Sequence, residues 1–487
     1  MLQLFVKNKK TESSLFWGYL TYIIIGVLLL SYPAFRKLNI SVIDNLFISV
    51  SAISTTGLVT ISVVDSYKIP GQLVIITLIQ IGGIGYMTFG SFVILSSKKL
   101  LSPEREVIHK TAFSLPKDFS IKKFIKSLMI YTMIIETLGA LLLIPLLWND
   151  GRVNPIWSSI FHSVSAFCTA GFSLYNNSFE QYSGNVLINM IIFILSFLGA
   201  IGYIVMVDVW LLIRKKKKQI TFTSKIILIL TVILLISGTV FLFLENCMPQ
   251  KTIEWNFLVK AFFQAMTALT TVGFNTIPIG DLKSSSLFIL TILMIIGASP
   301  SGTGGGIKST TISSMVGVIS SVFSSKKEYI NYQQDFVKES DDSNIIKKYL
   351  NKKKEIVLRT NISEKNIVLN SIFGQIFKIK LLKRTIPYDR IIHAIATFVF
   401  YFTILFAGIL LLLTVETSTY EQIFFEAASA LGTVGLSTGI TGSLSFLGKI
   451  IIIILMFIGR IGPITFGIVL FSREEKKIDM EYEDIVI

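Results

Sequence analysis

One short motif occurs four times in this chain, and its copies superimpose without a gap. A Phe opens each copy, an Ala and a Thr precede its Gly, and a Leu or Phe closes it. The copies read FISVSAISTTGL (47–58), FHSVSAFCTAGF (161–172), FQAMTALTTVGF (263–274) and FEAASALGTVGL (425–436). Chance does not produce agreement at so many positions, so the chain must fold as four related units.

Long apolar runs flank every copy of the motif. Hydrophobic residues make up 52% of the chain and charged residues only 15%, against roughly 25% charged in a soluble domain. The runs are long enough to cross a bilayer, which takes about 20 apolar residues. They predict eight transmembrane helices, near residues 15–31, 72–96, 124–147, 186–213, 224–244, 286–323 (interrupted), 391–415 and 446–472.

The motif copies themselves are too short to cross a bilayer. Each has about ten apolar residues before its Thr and Gly, and non-helical backbone survives at membrane depth only when it is buried in protein or lines water. We therefore predict an all-α polytopic membrane protein with four span–pore-loop–span repeats. Eight transmembrane helices and four re-entrant half-helices would surround a central pore.

The repeats predict the division of the chain. We expect repeat 1 at 1–97, repeat 2 at 98–218, repeat 3 at 219–323, a cytoplasmic linker at 324–390, repeat 4 at 391–472 and a cytoplasmic tail at 473–487. The linker is rich in charged residues. Such a run usually stays solvated, and docking to a partner is the alternative.

The formal net charge is +15, but Lys and Arg lie mainly at the ends of the apolar runs. They collect before the first run, at 98–126, at 214–218, at 326–390 and after 472, all on one predicted side. The positive-inside rule places that side, and both termini, in the cytoplasm. The charge therefore indicates orientation in a cell membrane and not binding to nucleic acid.

The chemistry of the motif favours a cation pore. A half-helix whose C-terminal end faces the pore offers partial negative charge to a cation. Gly permits positive φ, so neighbouring carbonyl oxygens can turn toward the axis and replace the water shell of a potassium ion. The predicted potassium-binding filter, the only metal site expected, is Thr55, Thr56, Gly57, Thr169, Ala170, Gly171, Thr271, Val272, Gly273, Thr433, Val434 and Gly435.

Close packing of helices through small residues is the alternative explanation for any single copy of the motif. Four copies in register favour the pore. One Gly per unit is fewer than in the five-residue filter of tetrameric potassium channels, so we expect fewer ordered ion sites and looser ion discrimination.

The sixth apolar run is interrupted by GASPSGTGGGIK, from Gly297 to Lys308. Five glycines and Pro300 exclude an unbroken helix, since each Gly costs about 1 kcal/mol and Pro about 3 kcal/mol in a helix interior. We interpret the segment as an intramembrane gate below the filter. The gate residues are Gly297, Ser299, Gly302, Thr303, Gly304, Gly305, Gly306 and Lys308.

A phosphate-binding loop is the competing interpretation of the same segment, because GTGGGIKST resembles GxxxxGK[ST] superficially. Ile307 separates Gly306 from Lys308, and the segment lies inside an apolar run instead of after a strand. Both features argue against phosphate binding.

Arg460 lies in the corresponding part of the last apolar run and belongs to the predicted gate. A buried cation at this depth costs at least about 2.5–3.5 kcal/mol unless it faces water or a partner. Arg460 would either repel cations that leave the filter or donate hydrogen bonds to carbonyls of the glycine loop. Pairing with an acid is the structural alternative.

Other polar residues in the apolar regions are weaker signals. We expect the polar residues directly after the motif Phe to cap a helix or to contact water at the outer rim of the pore. Asp208 lies close to Arg214 in the sequence, so we expect it to form a structural pair. For Glu136 the sequence indicates no role. The residues after the motif Phe are Ile48, His162, Gln264 and Glu426.

These motifs resemble the Trk/Ktr/HKT superfamily of potassium transporters over nearly the whole chain. The resemblance rests on Gly57, Gly171, Gly273 and Gly435, on the loop from Gly297 to Lys308, and on Arg460. Within this superfamily the chain is most similar to the bacterial Ktr-type membrane subunit, because only one apolar run precedes the first motif. The 324–390 linker is longer than such a subunit predicts.

The resemblance implies a homodimer with one pore per subunit, a cytosolic ring of nucleotide-binding regulatory subunits, and dependence on sodium. Sodium-selective plant relatives have Ser in place of the first filter Gly, so Gly57 favours potassium. The chain has no nucleotide-binding motif, so nucleotide control would come from the partner.

The predicted function is potassium uptake, with K⁺ as the transported ion, Na⁺ as a candidate second ion and no organic cofactor. A sodium-conducting or poorly selective transporter of the same architecture is the alternative. An enzyme is not expected: the chain has only three His, no GxSG motif beside a membrane His and no recurring acid pair at helical spacing, so the sequence offers no positioned nucleophile with a base.

Overall fold

The computed structural model describes most of the apolar part of the chain. It covers residues 2–85, 88, 121–148, 153–215, 218–250, 255–321, 323, 380–381, 384–386 and 388–471. The predicted tail, most of the predicted linker and the boundary between repeats 1 and 2 lie outside the described residues.

Each of the four units contains a first helix, a short helix that carries the motif, here called the segment helix, and a second helix. The first helices are Leu2–Ser31, Ile121–Leu147, Phe222–Gln250 and Tyr388–Val415. The segment helices are Val42–Ile53, Pro155–Phe167, Trp255–Thr270 and Tyr420–Leu431. The second helices start with Ile69–Ile84, Val186–Ile201, Ser284–Ile295 and Phe446–Ile461.

The remaining elements are short. A helical turn forms at Val63–Ser66, and 3-10 turns form at Pro33–Phe35, Glu180–Tyr182, Ile279–Asp281 and Thr441–Ser443. Strands Lys380–Leu381 and Arg384–Thr385 pair antiparallel, with Leu381 opposite Arg384. This hairpin lies in the stretch that the sequence predicts as the linker.

Polar caps define where the segment helices of units 1, 2 and 4 start. Ser41 accepts a hydrogen bond from the backbone of Asp44, and Asn154 caps the helix of unit 2 in the same way. Thr419 and Gln422 form a reciprocal capping box in unit 4. Because such caps satisfy the free N–H groups of the first turn, short helices can begin sharply between two spans.

The helices are those of a membrane protein. Among the described residues, three helices are long and apolar enough to cross a membrane, or up to five if each bent pair is counted as one span. The three are Phe124–Leu147, Phe222–Glu245 and Arg390–Val415. Other apolar helices, such as Ile69–Ile84 and Ser284–Ile295, are shorter. The count of eight spans therefore stays a prediction.

Two apolar runs that the sequence predicts as single spans are bent. Val186–Ile201 meets Tyr203–Ile213 at 101°, and Phe446–Ile461 meets Pro463–Leu470 at the same angle. The bends occur at Gly202 (φ +83°) and Gly462 (φ +94°), and Gly85 (φ +90°) ends the second helix of unit 1. Glycine ends a helix in this way because positive φ costs it little.

A second internal repeat accompanies these breaks. It reads IGGIG (81–85), LGAIG (198–202) and IGRIG (458–462), and in unit 3 the corresponding 296–300 reads IGASP. The sequence predicts an interruption only in the sixth apolar run, which belongs to unit 3. The second helices of units 1, 2 and 4 are interrupted at the equivalent point.

In units 1, 2 and 4, the first glycine of the break packs on the segment helix of its own unit. A Cβ atom on Gly82 would lie closer than 3.0 Å to the carbonyl oxygen of Ile53. A Cβ atom on Gly199 would lie as close to the carbonyl oxygen of Phe167, and a Cβ atom on Gly459 would lie as close to that of Leu431. A side chain at these positions would push the end of the segment helix away, so these glycines set where the motif lies.

Candidate functional site

All four segment helices end in the same turn. In unit 1 the Thr55 N–H donates to Ala52 O at 3.1 Å, and the Thr56 N–H donates to Ser51 O at 2.9 Å. This is the Schellman pattern, which usually places Gly at the positive-φ position. Here that position is Thr in every unit, with φ of 53° at Thr55, 51° at Thr169, 58° at Thr271 and 48° at Thr433.

A β-branched residue rarely adopts positive φ, so four such residues in equivalent positions indicate strain that the surrounding structure holds in place. The Thr residues are buried, as are the residues that follow them. The strained turns therefore lie in the interior, where packing on every side can maintain them.

The four motif glycines form a closed ring. A Cβ atom on any of them would lie closer than 3.0 Å to a carbonyl oxygen of the next unit. The pairs are Gly57 with Ala170, Gly171 with Val272, Gly273 with Val434, and Gly435 with Thr56. Carbonyl groups from all four units thus meet in one ring, an arrangement that can replace the water shell of a cation.

In units 1 and 4, a hydroxyl group of the segment helix accepts a hydrogen bond from the motif glycine. The Gly57 N–H donates to Ser51 Oγ at 3.1 Å, and the Gly435 N–H donates to Ser429 Oγ at 3.1 Å. The equivalent hydroxyls of Ser165 and Thr267 have no hydrogen-bond partner in the described part of the chain. Units 1 and 4 therefore fix their glycines by a bond that units 2 and 3 do not use.

The connections that follow the glycines tie neighbouring units together. Asn176 of unit 2 donates to Asp65 of unit 1 at 2.9 Å, and Asn275 of unit 3 donates to Glu180 of unit 2 at 2.8 Å. The hydrogen bonds from Asn176 and Ser62 lower the pKa of Asp65. Burial raises the pKa of Glu180 although Asn275 donates to it. Ionised Asp65 gives this side of the ring a negative charge.

The loop from Gly297 to Lys308 lies on the opposite side of the ring. It folds back on itself, since Ala298 N–H donates to Gly305 O at 3.1 Å, and helix resumes at 309–321. It is also attached to the broken second helix of unit 2: the Thr303 N–H donates to Gly199 O at 3.0 Å, and Ser299 Oγ donates to Ile201 O at 2.5 Å.

The loop also contacts the Thr residues of the ring directly. Gly305 N–H donates to Thr271 Oγ1 at 3.0 Å, and the hydroxyls of Thr303 and Thr169 lie 3.1 Å apart. A Cβ atom on Gly305 would lie closer than 3.0 Å to Thr433 Oγ1. The loop therefore covers the ring at hydrogen-bond distance from its threonine hydroxyls.

Arg460 joins the loop to unit 1. Its Nη1 donates to Thr303 O at 2.5 Å and to Thr55 Oγ1 at 2.8 Å, and its Nη2 donates to the Gly82 carbonyl. All these acceptors are neutral oxygens. The guanidinium group thus bridges the loop, the ring and the second helix of unit 1 at once, as its fork of donors allows.

Lys308 is the second basic residue at the loop. Its Nζ donates to Gly304 O at 2.7 Å, so it closes the end of the loop on itself. The eight predicted gate residues and Arg460 therefore lie around one short segment.

Two further polar residues that the sequence singles out in the apolar regions, Glu136 and Asp208, accept hydrogen bonds. Glu136 accepts from Gln80 Nε2 at 3.1 Å and lies 3.6 Å from Cys168 Sγ. Asp208 accepts from Ser224 Oγ at 2.6 Å, and the guanidinium group of Arg214 lies over the Trp210 ring. No group of three or more His, Cys, Asp and Glu within the described ranges is placed to hold a metal ion.

Comparison with known proteins gives concordant matches. Residues 6–479 match the family model described as TrkH, cation transport protein. The chain is 33% identical over 469 residues to the Ktr system potassium uptake protein B of Bacillus subtilis, covering 95% of this chain and 93% of that protein. It is 30% identical over 458 residues to the potassium/sodium uptake protein NtpJ of Enterococcus hirae, covering 92% and 90%.

A solved structure has a similar fold. The crystal structure of the potassium transporter TrkH from Vibrio parahaemolyticus aligns with a TM-score of 0.64 at 19% identity. The alignment covers 93% of this chain and 84% of that one.

Proposed function

Because this chain belongs to the TrkH family of cation transport proteins, we propose that it takes up potassium across the cell membrane through the ring formed by its four glycine segments. The observation that carries the proposal is the closed ring, in which each motif glycine abuts a carbonyl of the next unit. Four strained threonine turns hold these carbonyls in place. No charged side chain is needed to bind potassium at such a ring.

The family consists of transporters, so the chain is not an enzyme. Uptake needs no chemical step, since a monovalent cation that moves into a negative cell interior gains about 2.3 kcal/mol per 100 mV. The relative from Bacillus subtilis is named for potassium uptake, which supports potassium as the transported ion.

The loop from Gly297 to Lys308 acts as the gate in this proposal. It covers one side of the ring, and Arg460 fastens it to Thr55 and to the second helix of unit 1. Potassium would pass only after this loop moves away from the threonine hydroxyls.

The proposal also includes the arrangement of the spans and the assembly of the transporter. Eight spans and four re-entrant half-helices surround the pore in four repeats, with both termini in the cytoplasm. Two copies of the chain form a homodimer on a cytosolic nucleotide-binding regulatory subunit, and transport depends on sodium. The relative from Bacillus subtilis is named as protein B of a Ktr system, which is the observation behind a multi-subunit assembly.

A second candidate is a transporter that conducts sodium or discriminates poorly between the two ions. The observation that favours it is the similarity to NtpJ, which is named for both potassium and sodium uptake. Na⁺ is then a transported ion beside K⁺.

Replacing Gly57 by Ser tests the filter and separates the two candidates. A Cβ atom at Gly57 would lie against the Ala170 carbonyl, so the carbonyl ring must widen or distort at that point. We expect the ratio of potassium to sodium uptake to fall by about tenfold, which corresponds to about 1.4 kcal/mol.

The measurement is uptake of both ions by cells that express the wild type, the Gly57→Ser variant or a Gly184→Ser control. Gly184 has open space around it and an ordinary φ, so its variant should match the wild type. A wild type that already shows no preference would favour the second candidate. An unchanged preference in Gly57→Ser would contradict the filter assignment.

A further inference from the structure

The residue directly after the motif Phe occupies an equivalent position in all four units. In three units it is polar and buried, and its side chain reaches the chain just beyond the motif glycine. His162 Nε2 lies 3.0 Å from Ser173 Oγ, Gln264 Nε2 donates to Thr276 Oγ1 at 3.2 Å, and Glu426 Oε1 accepts from Ser437 Oγ at 3.0 Å. Unit 1 has the apolar Ile48 here.

In unit 4 this contact is part of a larger network. Glu426 Oε1 also accepts from the Thr441 hydroxyl, which lies 2.9 Å from Ser437 Oγ. Ser437 Oγ in turn accepts from the Gly439 N–H at 2.9 Å. One fully buried carboxylate oxygen therefore organises the whole turn that follows Gly435.

A second bond fixes the other side of the same segment. Ser429 accepts from the Gly435 N–H at 3.1 Å, and Ser429 and Glu426 lie on one face of the segment helix, three residues apart. The short stretch from Gly435 to Ser437 is thus held to a single rigid helix at both ends. Any carbonyl between these two bonds has little freedom to turn.

We propose that Glu426 is a positioning residue that holds the unit-4 filter segment in the conformation that selects potassium, and that it acts as a hydrogen-bond acceptor and not through its charge. The inference rests on the proposed function, because it concerns the same filter. It explains why a carboxyl group is buried so close to a cation path without touching the ring itself.

The chain contains the substitutions that test this idea. Glu426→Gln copies unit 3 and keeps the Oε1 acceptor for Ser437 and Thr441. The new Nε2 would replace Oε2, which accepts from neither of these two hydroxyl groups. Glu426→Ile copies unit 1 and removes the acceptor. Glu421→Gln is the matched control, since Glu421 lies exposed on the first turn of the same helix.

The experiment measures the ratio of potassium to sodium uptake, with KM and Vmax for potassium, in cells that express the full chain. We expect Glu426→Ile to lower the ratio by about tenfold and to raise KM, because the hydroxyl groups of Ser437 and Thr441 lose their acceptor in a buried site. Glu426→Gln and Glu421→Gln should keep the wild-type ratio. A merely structural defect would lower Vmax and leave the ratio unchanged.

Two results would overturn the inference: a wild-type ratio in Glu426→Ile, or a loss in Glu426→Gln as large as in Glu426→Ile, which would assign the role to charge. If Glu426→Ile does not reach the membrane, Ser437→Ala combined with Thr441→Val removes the donors instead and must lower the ratio as well. Absence of uptake by the wild type would contradict the proposed function first.

Discussion

Gly273→Ala is expected to abolish potassium uptake. Its Cβ atom would lie closer than 3.0 Å to the Val434 carbonyl oxygen of the next unit, a distance that neither backbone can accommodate without moving. Gly273 also has φ of 83°, which costs an L-residue roughly 1–2 kcal/mol. Because the ring is closed, a displacement at one glycine passes to the next unit, and uptake should fall to background.

Gly184→Ala provides the matched control for this prediction. No atom lies within 4 Å of the Cβ position at Gly184, so this variant should take up potassium as the wild type does. Both variants should be present in the membrane in equal amounts by immunoblot. Normal uptake by Gly273→Ala would mean that the four glycines do not form the conduction path.

Arg460→Ala is expected to raise uptake about tenfold or more in the absence of a regulatory subunit. The variant loses the bonds from the guanidinium group to Thr303 O, Thr55 Oγ1 and the Gly82 carbonyl. A hydrogen bond to a charged group contributes about 1.5–3 kcal/mol, so losing even one shifts a closed-to-open equilibrium by a factor of ten or more. Deleting residues 302–306 should have the same effect.

Arg460→Lys distinguishes the two mechanisms open to this residue. Lys keeps the positive charge but lacks the planar fork that binds several acceptors at once. If Arg460 fastens the loop, Lys should behave like Ala. If it only repels cations below the filter, Lys should behave like the wild type. Uptake that is unchanged in Arg460→Ala and in the loop deletion would remove the gate from the proposal.

The family and the all-helical nature of the fold could be predicted from the sequence. The fourfold motif, the glycine loop and Arg460 led to a resemblance that the family match confirms, and the apolar runs predicted an all-helical membrane protein. Repetition made this possible: any one copy of the motif could be explained by helix packing, whereas four copies in register demand four equivalent environments.

The breaks in the second helices were missed, although their signal was present. The glycines Gly85, Gly202 and Gly462 end a repeated short sequence, but a single glycine in an apolar run costs only about 1 kcal/mol and does not by itself require a break. Only the unit-3 copy, with Pro300 and several glycines, exceeded what a helix can absorb.

Contacts between distant parts of the chain were beyond sequence reasoning. Nothing in the sequence relates Arg460 to the carbonyl of Gly82, or Gly57 to Ala170, because these pairs arise from the order of the units around the ring. Positive φ at Thr55 and its counterparts was equally hidden, since a β-branched residue is the last type expected there. The contacts of Glu426 with Ser437 and Thr441, on which its proposed role rests, have no signature in the sequence either.

Uptake of potassium and sodium, measured in parallel, tests the central claim most directly. The cells should lack their own potassium uptake systems and should express the wild type or Gly435→Asp, with and without a candidate regulatory subunit. We predict potassium uptake by the wild type and none by Gly435→Asp, whose side chain would meet the Thr56 carbonyl. Equal potassium uptake by the two proteins, or uptake of sodium alone by the wild type, would contradict a potassium filter at the glycine ring.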